Sequence, residues 1–159
     1  MKSVYLETTI ISYLAAETSR DLIKAARQQI TREWWRQRRR EFDVYVSQVV
    51  EREVSRGNPE AARRRVALLE DIPVLRVTPE AEQLAAGLVA EGPLPERALD
   101  DALHLAVATV HGIDYLLTWN CKHLANAELV GPIKTWLIEQ GLEAPVICTP
   151  DELLEKSDV

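Results

Sequence analysis

The feature that most restricts the fold is an alternation of very short apolar runs with helix-length amphipathic segments. Ser3–Leu6, Val44–Val46, Val74–Val77, Tyr115–Thr118 and Val146–Cys148 are rich in Val, Ile, Leu and Tyr and read as strands. Most are continuously apolar rather than alternating, as strands are when helices cover both faces of a parallel sheet. Helix punctuation separates them. Asn58-Pro59, Thr78-Pro79 and Thr149-Pro150 each set a capping residue before a first-turn proline, and Thr149 with Glu152 fits a capping box. Gly112 and Gly141 close the helices that precede the last two strands. The spacing predicts β-α-α-β-α-α-β-α-α-β-α-β and a short final helix. No repeat, low-complexity tract or Gly/Ser linker interrupts it, so residues 1–159 read as a single α/β domain.

Composition narrows the function classes. With 47% hydrophobic and 28% charged residues, the 159-residue chain has the makings of an ordinary buried core. No apolar run approaches membrane-spanning length, and the opening MKSVYLETT has no cleavable apolar segment, so no membrane contact and a cytoplasmic location are expected. Cys121 and Cys148 share no metal-type spacing. The net charge of −6 argues against gripping nucleic acid by charge alone. A bound cation and local arginines remain as a route to phosphate.

In parallel sheets, sites form beyond the carboxyl ends of the strands, and the acidic residues there are the candidates. Glu7 follows the first strand, at the start of a helix opened by Thr8 or Thr9. It is placed equally well to bind a ligand or to complement the helix dipole. Ser47 reads as the N-cap of a helix over Gln48–Arg56 that buries Val49, Val50 and Val54. Glu53 falls inside that apolar stripe, where a carboxylate needs a metal or an ion pair with a residue such as Arg52 or Arg56. No arginine shares the stripe, which favours the metal. Asp100 and Asp101 open a helix with two apolar sides. Asp101 lines up with Leu105 and Ala108 and projects into a covered space, whereas Asp100 reads as a dipole complement. Asn120 ends the fourth strand and is either a weak oxygen ligand or a turn residue.

Four stretches together resemble the PIN-domain ribonucleases, and closely the VapC toxins of type II toxin–antitoxin modules. They are Val4-Tyr5-Leu6-Glu7-Thr8-Thr9 through Leu14, Val46-Ser47 through Glu53, Asp101-Ala102-Leu103 through Gly112, and Leu117-Thr118-Trp119-Asn120. The likeness runs from residue 1 to about residue 125. It implies a PIN-like three-layer sandwich with about five mainly parallel strands. It also implies hydrolysis of RNA phosphodiester bonds with Mg²⁺ or Mn²⁺. By position, Glu7, Glu53 and Asp101 would be the metal ligands, Asn120 a fourth catalytic residue, and Thr9 a support for the first acid. A cognate antitoxin and a homodimer are the implied partners. Two residues depart from the family pattern: Glu7 stands where aspartate is usual, and Asn120 where an acid is often found. They motivate a second expectation, a PIN-like module that binds RNA or protein without cutting.

Other features read more plainly. Asp21–Phe42 is a long helical pattern with Leu22, Ile23, Ala26, Ile30 and Trp34 on one face. Trp35 and Arg36–Arg40 read as a solvated helix end ahead of an RNA- or partner-binding edge, and Arg63–Arg65 as an exposed face. His104, His111 and His123 have no metal-ligand spacing and read as structural, with His104 the nearest to the site. Cys121 has no base-and-orienter pair to make it a nucleophile.

Overall fold

A computed structural model of the chain describes residues 1–155. The elements run β1 (Ser3–Leu6), α1 (Thr8–Ala15), α2 (Leu22–Gln37), β2 (Asp43–Ser47), α3 (Gln48–Val54), α4 (Pro59–Ala67), β3 (Val74–Leu75), α5 (Pro79–Ala90), α6 (Leu99–Val110), β4 (Tyr115–Leu117), α7 (Ala127–Glu139) and β5 (Val146–Cys148). The final short helix is a 3₁₀ turn, Pro150–Leu153. This is the order predicted from the sequence. The five strands form one sheet in the order β3-β2-β1-β4-β5, and every pairing is parallel. With helices on the sheet, this is the expected α/β sandwich.

The start signals act as the sequence implied. Ser47 Oγ accepts the Val49 N–H at 3.1 Å, Asn58 Oδ1 the Glu60 N–H at 3.0 Å, and Thr78 Oγ1 the Ala81 N–H at 3.2 Å. Each satisfies a helix-end donor that would otherwise lack a partner. At the 3₁₀ turn, Glu152 Oε2 accepts the Thr149 N–H at 2.7 Å. Gly112 ends α6 with a positive φ of 68°, a conformation that costs a side-chain-bearing residue energy.

Several boundaries and faces differ from expectation. The third strand pairs only over Val74–Leu75, because Val77 donates its N–H to Gln48 Oε1 instead of to a strand. The helical pattern after Asp21 stops at Gln37, and a 3₁₀ turn over Arg39–Glu41 leads into β2. Its buried stripe is Gln28, Thr31 and Trp34, whereas Leu22 and Ile23 are 86% and 68% exposed. Gln28 is buried because its amide is satisfied at both ends, by Ser19 N–H and Glu17 C=O. In α6, Ala102 and the run from His104 to Thr109 are buried, as a sandwiched helix requires, while Leu99 is left 45% exposed at its start. The core itself joins Tyr5, Leu6, Leu116 and Leu117 of the sheet to Ile10, Ile11, Trp34, Leu88, Leu105 and Leu137 of the helices.

Candidate active site

From β1 the chain moves to β2 and β3 on one side of the sheet, then returns to place β4 and β5 on the other. The crevice between β1 and β4 is therefore a topological switch point, and both strands end there. Glu7 occupies it. The residue is only 4% exposed, and its own N–H donates to Leu117 C=O at 3.0 Å. Glu7 Oε1 accepts Oγ–H groups from Thr9 and from Thr118, both at 2.6 Å, and Oε2 accepts the Thr9 N–H at 3.2 Å. Glu7 is thus the N-cap of α1 and is also clamped to the end of β4. Thr9 does support the first acid, and its hydroxyl also accepts the Trp119 N–H at 2.9 Å.

Glu53 is half-buried beside the stripe of α3 that packs inward, with 22% side-chain exposure. Its partner is neither arginine considered from the sequence. Arg52 lies 3.5 Å from Asp100, and Arg56 acts on Glu53 only through its charge. Instead Glu53 Oε1 accepts Thr8 Oγ1–H at 2.8 Å and a very short hydrogen bond from His104 Nε2. Burial alone would raise the Glu53 pKa. The His104 hydrogen bond and charge, the Thr8 bond and the Arg56 charge outweigh burial and hold it below the usual carboxylate range.

His104, read from the sequence as structural and nearest to the site, is buried to 1% exposure on α6. With Nε2 donating to Glu53, the neutral ring accepts at Nδ1 from Tyr5 O–H, 2.6 Å away. Tyr5 lies 2.7 Å from Ser47 Oγ, which accepts Val49 N–H. A single hydrogen-bonded chain therefore runs from the start of α3 through β1 and α6 to Glu53. Burial opposes the charged imidazolium. The Glu53 bond and the charges of Glu7, Glu53 and Asp101 prevail and raise the His104 pKa. All three sequence-predicted acids thus lie within electrostatic reach of one imidazole. The carboxylate–imidazole–hydroxyl order looks like a nucleophile triad, but Tyr5 is fully buried and burial pushes its pKa well up, so no substrate can meet it.

Asp101 opens α6 with 22% side-chain exposure, and its Oδ2 accepts from His123 Nδ1 at 2.8 Å. His123 Nε2 is buried and has no hydrogen-bond partner among the described residues. Asn120 arranges this contact indirectly. Its Oδ1 accepts the His123 N–H at 3.0 Å, and its own N–H donates to Thr118 Oγ1 at 2.9 Å. It is the turn residue that carries His123 back toward α6. Tyr5, Thr8 and Thr118 stood in the motif stretches of the sequence without a role of their own, and His104 and His123 read as structural, with His104 the nearest to the site.

The donor chemistry suits a hard divalent cation. Among the described residues, Glu53 Oε2 and Asp101 Oδ1 accept no hydrogen bond, and carboxylate oxygen is the ligand that Mg²⁺ and Mn²⁺ prefer. Among the described residues, however, no three His, Cys, Asp or Glu side chains are already gathered as a cage. The ligand set is present in kind, with each acid tied to a protein donor.

Comparison with known proteins adds an independent finding. The family model described as PIN domain matches residues 4–121. Among solved structures, the chain is similar to Mycobacterium tuberculosis VapC20, described as a sarcin-ricin loop cleaving toxin, at 21% identity and TM-score 0.60. That match covers 76% of this chain and 92% of that one. It is also similar to VapBC2 from Rickettsia felis, solved on a DNA fragment from its promoter, at 13% identity and TM-score 0.57 over 92% of this chain and 97% of that one. The VapBC-1 structure from nontypeable Haemophilus influenzae matches at 16% identity and TM-score 0.57, over 93% and 98%. At these identities the likeness is one of fold. No curated protein matches the sequence.

Proposed function

The chain belongs to the PIN-domain family, and on that premise we propose that it is a divalent-metal-dependent endoribonuclease, the toxin of a type II toxin–antitoxin pair. The observation that supports this reading is that hydrogen bonds join the three segments that carry the acids: Thr8, next to Glu7, and His104, three residues after Asp101, both donate to Glu53. Glu7, Glu53 and Asp101 would hold the cation, Mg²⁺ or Mn²⁺. When bound, the cation polarises a phosphate and lowers the pKa of an attacking water. The protein's own part is orientation and charge. Thr9 and Thr118 fix Glu7 at the β1–β4 crevice, and Thr8 and His104 bond Glu53 Oε1 and keep that carboxylate ionised. Asn120 acts through the turn that presents His123. The partners in this reading are an RNA substrate, a cognate antitoxin and a second copy of the chain, in the cytoplasm. The VapBC structures of similar fold support the antitoxin. No described helix is long and apolar enough to cross a membrane.

The test is purified protein on a structured RNA with Mn²⁺, with EDTA, and with Asp101→Asn. Cleavage should vanish in EDTA and fall at least about 100-fold in the variant, as expected when a metal ligand and its charge are lost. Undiminished cutting under both conditions would refute the mechanism. The clamping of Glu7 by two threonines, together with the lack of a preassembled cage among the described residues, favours one alternative: a module that binds RNA without cutting it. That reading requires RNA retention in a gel-shift assay with no products at any Mn²⁺ concentration.

A further inference from the structure

Glu7, Glu53 and Asp101 lie toward the carboxyl edge of the sheet, and the chain carries a net charge of −6. An RNA phosphate approaching that edge is repelled unless a cation stands close by without being paired to an acid. Several arginines already have partners: Arg38 meets Glu41, Arg52 meets Asp100, and Arg65 donates to the carbonyls of Val54 and Arg56. Arg27 is held differently. Its guanidinium carbon lies over the indole of Trp119, 5.2 Å from the ring centre, and among the described residues its side chain makes no hydrogen bond or ion pair. An aromatic face supports a cation without neutralising it, and the guanidinium N–H groups remain able to donate.

Trp119 sets where that cation stands. It lies between Asn120 and Thr118, whose hydroxyl donates to Glu7, and its own backbone N–H donates to Thr9 Oγ1 at 2.9 Å. The indole is buried, with Nε1 donating to Thr31 Oγ1 at 2.8 Å and Tyr13 edge-on at 6.4 Å. Helix α2 gives the direction. Trp34 stacks on Phe42, just before β2 begins, whereas Thr31 meets Trp119 beyond the end of β4. The helix therefore descends from the carboxyl edge to the amino edge, and Arg27, one turn before Thr31, stands on the carboxyl side of that contact. We propose that Arg27 is a phosphate-binding residue, which donates to the RNA backbone at the carboxyl edge of the sheet while Trp119 supports its guanidinium from behind. The inference rests on the RNA-substrate reading above, in its cutting or its binding form, and requires no metal ion.

The experiment measures binding of a fluorescein-labelled single-stranded RNA by anisotropy, in EDTA so that the RNA stays intact, over a series of NaCl concentrations. The full chain is compared with Arg27→Gln, Arg27→Lys and Lys2→Gln, and circular dichroism confirms folding. Lys2 stands beside Asp114 at the amino edge, so Lys2→Gln removes the same charge far from the acids. Arg27→Gln should weaken binding about 5–20-fold at low salt and reduce the slope of log K against log [NaCl] by about 0.7, the share of one phosphate contact on a single strand. Arg27→Lys keeps the charge and should keep the slope, and Lys2→Gln should stay within about 2-fold of the parent. Where Mn²⁺ supports cutting, Arg27→Gln should raise KM more than it lowers kcat. Phenylglyoxal footprinting of the parent needs no variant: bound RNA should protect Arg27. Parent-like affinity and slope in Arg27→Gln, an equal loss in Lys2→Gln, or modification of Arg27 that RNA does not slow overturns the proposal. So does a change confined to self-association in sedimentation, which would assign Arg27 to a protein interface. If the parent chain binds no RNA, the proposal falls together with the functional reading, an outcome distinct from parent-like binding by the variant.

Discussion

At the scale of single residues, magnitudes show what organises the site. A hydrogen bond to a charged group contributes about 1.5–3 kcal/mol, whereas an exposed ion pair contributes about 0–1 kcal/mol. The Arg52–Asp100 pair, half-exposed on both sides, therefore decorates the rim, and the Thr118, Thr8, His104 and His123 bonds set the positions of the acids. The same contrast of environments separates the two cysteines. Cys148 ends β5 at 3% exposure, and burial, with the charges of Glu152 and Asp151 behind it, pushes its thiol up to about 12. Cys121 is exposed in the turn after Asn120. Because the thiolate is the reactive form, iodoacetamide at pH 8 should label Cys121 alone in the folded protein and both cysteines in denaturant. Mass spectrometry of the digest reads the result, and equal labelling rates in the native state would contradict the placement of Cys148.

At the scale of elements, helix ends do more positional work here than helix middles. Ser47 caps α3 and also anchors Tyr5, and Glu7 caps α1 and also meets β4, so two of the start signals are part of the site. The end of α5 has a different constraint. Gly92 donates its N–H to Gly87 C=O at 2.9 Å, and Leu94 folds back onto Leu88 C=O at 3.1 Å. A Cβ on Gly92 would sit 2.7 Å from Leu88 O and 2.9 Å from Leu88 Cα, which are backbone atoms that cannot swing aside. Gly92→Ala should therefore cost about 1–3 kcal/mol, the range for overpacking. In a chain of this size that lowers Tm by about 2–4 °C per kcal/mol. Thermal unfolding checks it, and an unchanged Tm would mean that the α5–α6 connection has room to relax.

For the whole molecule, the parallel sheet separates stability from chemistry along the strand direction. The carboxyl edge carries the acids. The amino edge is tied by Asp114, which accepts Ser3 N–H at 2.8 Å and Ser3 Oγ–H at 3.1 Å while Lys2 stands 3.7 Å away. The Ser3 backbone bond, with help from the Ser3 hydroxyl and Lys2, holds the Asp114 pKa below its ordinary value. A carboxylate depressed in the folded state adds stability that is present above the unfolded pKa of about 3.9 and is lost as pH falls through the folded value. Asp114→Asn should lower Tm at neutral pH by a small amount, since the group is half-exposed, and the gap to the parent should close as pH drops below about 4. Denaturation curves at pH 7, 5 and 3 measure it, and a constant gap would show that charge is not what Asp114 contributes.

Local pattern sufficed for much of this. The order of elements, the caps at Ser47, Asn58 and Thr78, the place of Glu7 at a strand end and of Glu53 beside a buried stripe all follow from interactions within a few residues and were legible there. The family motif followed from the same local stretches. Which groups partner which acids was settled by long-range contacts. Glu7 meets Thr118 across 111 positions, His104 meets Tyr5 across 99 and Glu53 across 51, and His123 meets Asp101 across 22. No periodicity encodes such pairs, because they exist only once the strand order brings β1 between β2 and β4 and the sandwiched α6 over their ends. Local chemistry named the acids, and topology chose the groups that hold them.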